Sequence, residues 1–182
     1  MWSSFNDQFV KALEGFNGDP IVASFYGHQH FGTYRVIADP NVTAVTGANA
    51  HVGFVASSLT PRPNANPSTT EYTFLPRAPY TVLDRTVHYI DLAEANARGR
   101  AEWKTGPSYR TLFGAEQLDV ATMARAADKM RTDRSLFAAF YEDLVTHGPL
   151  RGNCTTSACR GRVLCSLTNS MLRDFQNCIK RS

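Results

Sequence analysis

The sequence predicts an α/β protein in which one leading helix and a small sheet precede a helical segment closed by disulfides. Three observations predict it. Strand-like runs are confined to residues 21–92, helical periodicity dominates from residue 93, and all four cysteines fall between 154 and 178. Apolar content of 43% and charged content of 19% belong to an ordered globular chain. A formal charge of +3, with no basic stripe, gives no support to a nucleic-acid polymer as partner. No apolar run approaches the roughly 20 residues that a membrane-spanning helix requires.

Ser3 or Ser4 is placed to cap a first helix, with Phe5, Phe9, Val10, Leu13 and Phe16 at helical spacing and Gly15 and Gly18 near its end. This apolar stripe is expected to pack on the sheet. Asn17-Gly18-Asp19-Pro20 reads as a turn. Residues 21–26 (IVASFY), an uninterrupted apolar run between Pro20 and Gly27, read as a strand buried on both faces. Residues 33–38 and 51–59 are the next strands, separated by a polar surface loop. Residues 60–70 carry three prolines and are expected to be irregular. Strand character resumes at 71–75 and 80–92, with a bend or hairpin tip expected at Asp84-Arg85. Four or five short strands behind one helix suggest one edge of a larger sheet. Beyond residue 92, residues 118–131 and 133–147 are amphipathic helices, with Asp133 as a cap and Gly148-Pro149 as a stop. Short helical stretches are expected at 163–171 and 172–178. The division is therefore 1–92 for the sheet-bearing part and 93–182 for the helical one.

Clustered, even-numbered cysteines read as two local disulfides made in an oxidising compartment. Four cysteines allow three pairings. A four-thiolate zinc site is the weaker reading, since no C-x-x-C is present. Sequons at Asn41 and Asn153 agree with a secreted or luminal glycoprotein. The N-terminal residues lack a basic n-region, a continuous apolar stretch and a small-residue cleavage site, so they do not form a signal peptide. A missing N-terminal portion would reconcile these two observations.

The stretch with most chemical content is His28-Gln29-His30, at the mouth of the first strand. On an extended backbone, side chains two apart share a face, so both imidazoles would point one way and serve as metal ligands through neutral ring nitrogens. His51, His88 and His147 have no comparable setting: His88 is expected on the solvent side of a strand and His147 at a helix end. Ser57-Ser58 lacks a nucleophile motif. Phe137, Phe140 and Tyr141 have the spacing of core residues.

Six ordered blocks carry a resemblance: FYGHQHFGTYRV, FVASSLTPRPNANP, YTVLDRTVHYIDLAEAN, WKTGPSYRTLFG, DKMRTDRSLFAAFY and CTTSACRGRVLCSL ending in Cys178. They resemble, nearly throughout, the C-terminal part of acid sphingomyelinases and sphingomyelinase-like phosphodiesterases, within the calcineurin-like metallophosphoesterases. The resemblance implies a layered metallophosphoesterase sheet followed by a disulfide-bearing helical subdomain, and two metal ions, usually zinc. His28 and His30 would be the last ligands of that pair, one to each ion. It also implies sequential cysteine pairing, Cys154 with Cys159 and Cys165 with Cys178. Asn66-Pro67 matches the family's Asn-Pro beside the active site, whereas Ser68-Thr69-Thr70 departs from the usual continuation. Arg62 stands where sphingomyelinases tend to carry an aromatic residue; it would meet a phosphate charge or stay solvated. The family's other metal motifs, and the histidine that protonates the leaving group, are expected before Met1. No catalytic residue is therefore assigned, and the chain is expected to be a truncated, inactive C-terminal part. A complete protein would hydrolyse sphingomyelin to ceramide and phosphocholine, at a membrane surface in a secreted or lysosomal setting. The alternatives are a relative acting on nucleotides and a non-catalytic secreted binding protein.

Overall fold

The computed structural model describes residues 3–14, 21–38, 50–61, 65–77 and 80–181. The expected turn at 17–20, the helix-end residues Gly15, Phe16 and Gly18, and the sites Asn41 and Arg62 lie outside them. Among the described residues the chain is mixed α/β, with two small sheets and the helices that cover them. Helix α1 (Ser3–Glu14) comes first, then β1 (Ser24–Tyr26), β2 (Thr33–Ala38) and β3 (Ala50–Val55). Within this first sheet the order is β1-β3-β2, with β1 parallel and β2 antiparallel to β3. The second sheet is an antiparallel meander of β4 (Ser68–Phe74), β5 (Val82–Ile90) and β6 (Trp103–Thr105). Helix α2 (Leu92–Arg98) links β5 to β6. Then follow α3 (Tyr109–Phe113), α4 (Val120–Thr132), α5 (Arg134–Leu144), α6 (Ser157–Thr168) and α7 (Leu172–Lys180).

Several expectations hold for the reasons given. Asp133 caps α5, its carboxylate accepting from the Leu136 N–H at 2.9 Å, and Phe137 and Phe140 are core residues. The two disulfides are Cys154–Cys159 and Cys165–Cys178, the second tying α6 to α7. The core forms where β2 and β3 meet the helices. Tyr34 is fully buried among Tyr109, Phe113 and Phe140, at ring separations of 6.2, 6.3 and 5.9 Å, and its hydroxyl donates to the Met123 carbonyl at 3.1 Å. A second aromatic group, Phe25, Phe54, Tyr72 and Phe74, joins the two sheets.

Other expectations are overturned. The first strand is three residues long and is an edge strand, with Val22 and Phe25 nearly half exposed, because among the described residues β3 alone pairs with it. In α1, Val10 is buried while Phe5 and Phe9 are exposed, so its stripe packs through a narrow contact. β4 begins at Ser68, inside the proline-containing run: Pro67 precedes the strand and removes no ladder hydrogen bond within it. β5 continues through Asp84-Arg85, which pair with Thr73 and Tyr72, and its register shifts beside them at Leu83. The charged pair there is no turn, because Arg85 finds its partner in α5. Helix α5 ends at Leu144, before Gly148-Pro149, since Thr146 and His147 adopt φ of 49° and 53°. Within the stretch expected to be helical from residue 93, Trp103–Thr105 is a short strand paired with β5.

Candidate functional site

β1 delivers the chain into a tight turn. The Gln29 N–H donates to the Gly27 carbonyl at 3.0 Å, and the backbone then passes through His28 at φ 77° and His30 at φ 63°. The extended conformation expected for His28-Gln29-His30 is therefore absent, and both histidines are left-handed. For residues with a Cβ this conformation costs about 1–2 kcal/mol each. His28 is exposed, whereas His30 is half-buried, and its Nδ1 is buried without a hydrogen-bond partner. An imidazole nitrogen left in that state is costly unless something outside the protein atoms meets it. The donors suit a borderline divalent metal, since neutral imidazole is its common ligand. They are also too few, for among the described residues no group of three or more His, Cys, Asp or Glu is placed to hold an ion.

Both ends of this loop are anchored. At the β1 end, the Ser24 hydroxyl donates to Tyr26 Oη at 2.8 Å, and Ser24 Oγ lies 2.6 Å from Nε2 of buried His51 on β3. Burial pushes the His51 pKa down, against the hydrogen bond to the Ile21 carbonyl. Gly53 makes room for this chain, as a Cβ there would lie 2.7 Å from the Tyr26 ring. His51 had no sequence signal, because its partner is 27 residues away on a neighbouring strand.

At the other end, buried Gly32 rests on Arg85. A Cβ at Gly32 would fall 2.0 Å from Arg85 Nη2. Arg85 is fully buried, paired through Nη1 with the equally buried Asp143, and its Cζ sits 4.3 Å over the Tyr109 ring. Burial pushes the guanidinium pKa down, but the Asp143 carboxylate outweighs it and the net shift is upward. Burial likewise raises the Tyr109 and Tyr72 hydroxyls. The remaining Arg85 nitrogens, Nε and Nη2, have no hydrogen-bond partner.

Asn66 is buried, and its side chain is spent inside the protein. Its Oδ1 accepts from the Leu92 N–H at 3.2 Å, and its Nδ2 donates to the His147 carbonyl at 3.1 Å. Thr146 Oγ1 in turn donates to the Asn66 carbonyl at 3.1 Å. His147 stacks on Tyr89 with centroids 4.4 Å apart, and its Nδ1 lies 3.3 Å from Glu142 Oε1. His88 bridges Glu71 and Thr105 at 3.0 and 3.1 Å. Ser57 bonds Thr70 at 2.9 Å, a structural clip onto β4. Asn153 is exposed on the turn before Cys154. A groove of about 760 Å³ beside α4, lined by Phe113, Glu116, Asp119, Arg125 and Lys129 among others, holds none of the residues singled out from sequence.

The protein-family model described as acid sphingomyelin phosphodiesterase C-terminal region matches residues 42–182. The cyclic GMP-AMP phosphodiesterase SMPDL3A of Rattus norvegicus is 24% identical over 184 residues, which cover 97% of this chain and 40% of the relative. Sphingomyelin phosphodiesterase A of Dictyostelium discoideum is 24% identical over 178 residues, covering 97% of this chain and 29% of the relative. Sphingomyelin phosphodiesterase 1 of Caenorhabditis elegans is 24% identical over 159 residues, covering 87% and 27%. The chain thus spans well under half the length of these relatives. The family match begins after the histidine loop, while the first two relatives align over nearly the whole chain. With its match running through β3, both sheets' junction, every later helix and all four cysteines, the chain belongs to the acid sphingomyelin phosphodiesterase family, as the C-terminal region of that family.

Proposed function

We propose that His28 and His30 form one arm of a two-metal, zinc-type centre in a phosphodiester hydrolase of the acid sphingomyelinase type. The observation that carries this reading is the His30 Nδ1, buried and unpartnered on a loop whose two histidines are both held at positive φ. Strain and an orphaned ring nitrogen coincide at a residue pair chosen from sequence for metal chemistry, which supports a ligand role. When bound, a pair of divalent ions supplies an activated water and clamps the phosphoryl oxygens. The chain's own part is to hold and aim two imidazoles, with Tyr26 and Gly32 fixing the loop ends. A stable zinc site needs three or four protein ligands, so the remaining donors must come from outside the described residues.

Sphingomyelin is the substrate proposed, on the strength of the family and of the Dictyostelium and Caenorhabditis relatives. A nucleotide substrate is the second reading, favoured by the equally similar relative named as a cyclic GMP-AMP phosphodiesterase. Arg62, four residues before Asn66 in sequence, is proposed to meet the substrate phosphate. The two disulfides favour an oxidising, secreted or lysosomal compartment, with glycans at Asn41 and Asn153. No described helix is long and apolar enough to cross a membrane.

The test joins this chain to the upstream part of the Dictyostelium relative and assays sphingomyelin against a cyclic dinucleotide in the presence of Zn²⁺. Hydrolysis lost on His28→Ala and on His30→Ala is expected, and turnover that survives both removes the proposed role. The 182-residue chain alone is expected to show no turnover and no stoichiometric pair of ions.

A further inference from the structure

We infer that Arg85, locked by Asp143, is a positioning residue for the histidine loop, transmitting the geometry of the helical segment to the two candidate ligands. The inference rests on the metal reading above. It starts from a contact that no local sequence pattern announces. Gly32 is two residues from His30, is buried, and has Arg85 Nη2 where its side chain would begin, at 2.0 Å from an ideal Cβ. The loop backbone therefore lies directly on the guanidinium.

That guanidinium has nowhere to go. Arg85 comes from β5 in the second sheet, while its Asp143 partner comes from α5 and the Tyr109 ring beneath it from α3. Three elements thus meet under one glycine of the loop. A buried ion pair is a poor stabiliser compared with apolar residues of similar volume, so thermodynamic stability does not account for it well. What an arginine fork fixed at one end does well is define a position. Residues 27–31 are spanned between two anchors, the Tyr26–Ser24–His51 chain and the Arg85 platform, and both left-handed histidines lie between them. Without the second anchor, the loop is free to relax toward ordinary negative φ, and the ring of His30 leaves its buried position.

The experiment titrates Zn²⁺ calorimetrically into the full 182-residue chain with its disulfides intact, which removes thiolates as competing ligands. Four proteins are compared: wild type, Gly32→Ala, the apolar replacement Arg85→Met/Asp143→Leu, and the three changes together. Loss of a residue that orients a metal ligand costs roughly 10–100-fold in affinity. Gly32→Ala is therefore expected to weaken Zn²⁺ binding at least about tenfold and to lower the melting temperature, and Arg85→Met/Asp143→Leu to weaken binding similarly with far-UV spectrum and melting temperature retained. In the triple variant, Gly32→Ala is expected to add less than about twofold, since flexible methionine yields where the fixed guanidinium does not. Wild-type affinity in folded Arg85→Met/Asp143→Leu overturns the inference, as does an equal cost of Gly32→Ala in both backgrounds. Should Gly32→Ala fail to fold, Arg85→Met/Asp143→Leu alone decides. Zn²⁺ binding that is unaffected by His28→Ala/His30→Ala removes the metal reading instead, and binding too weak to measure, which two imidazoles alone allow, leaves the decision to the metal-free loop. Positioning is then decided by the metal-free amide resonances of Gln29 and His30, which must shift in Arg85→Met/Asp143→Leu; unmoved resonances overturn it.

Discussion

Among the described residues two turns each carry two non-glycine residues at positive φ: His28 and His30 after β1, and Thr146 and His147 after α5. They differ in what offsets the strain. At the second turn, the Thr146 hydroxyl and the His147 carbonyl both bond Asn66, the His147 N–H reaches the Glu142 carbonyl at 2.8 Å, and the imidazole stacks on Tyr89. At the first, a single backbone hydrogen bond closes the turn, His28 is exposed, and His30 Nδ1 is buried without a partner. The joint after α5 is thus the more finished of the two, although His147 Nε2, like His30 Nδ1, is buried without a hydrogen-bond partner. What separates the turns is the number of bonds that hold each one, not the orphaned ring nitrogen that they share.

Asp143 connects the two turns, since its carbonyl accepts from the Thr146 N–H at 2.8 Å while its carboxylate holds Arg85 beneath Gly32. Asp143→Ala keeps the backbone carbonyl that serves Thr146 and should therefore break only the tie beneath the histidine loop. It strands a buried guanidinium, for which about 3–5 kcal/mol of unfolding free energy is the expected loss in urea titration. A loss under 1 kcal/mol would mean the pair is not buried in solution. Next in size is Asn66→Ala, which should damage only the finished joint. It leaves the His147 carbonyl and the Leu92 N–H without partners, at about 2–4 kcal/mol together. An unchanged melting temperature would show that water replaces both bonds and that the joint is less closed than it looks.

The sharpest contrast comes from glycine. His28→Gly removes the Cβ penalty and breaks no side-chain hydrogen bond among the described residues, so stability should rise by about 1 kcal/mol while Zn²⁺ affinity falls. Thr146→Gly relieves the same penalty but forfeits the bond to the Asn66 carbonyl, so its net change should stay within about 0.5 kcal/mol of zero. Matching unfolding curves for the two variants would erase the distinction between the turns.

Local patterns made parts of this legible. The Asp133 cap, the core helices and the histidine pair itself follow from periodicity and residue type, and sequential disulfides follow from the family resemblance. What stayed hidden depends on partners far along the chain. Arg85 looked like a bend because its carboxylate lies 58 residues away in a helix. Asn66 was legible as a loop residue, but its inward role needs Leu92 and His147. The φ values of His28 and His30 were illegible for a different reason: the exit from β1 is set by Gly32 meeting Arg85, a contact between two sheets.

The smallest expected effect concerns pH and separates the two anchors of the histidine loop. His51 on β3 is buried beside Ser24, and burial lowers its pKa in the folded state. An unfolded chain then binds more protons than the folded one just below the ordinary imidazole value of about 6.5. The stability His51 contributes is therefore present above that pH and lost as pH falls through the lowered folded value. Melting temperatures measured from pH 7.5 down to 5 should decline for wild type and decline less for His51→Gln, which keeps a polar group near Ser24 without titrating. The Arg85 anchor offers no such dependence in this range, because its guanidinium pKa is raised and stays charged.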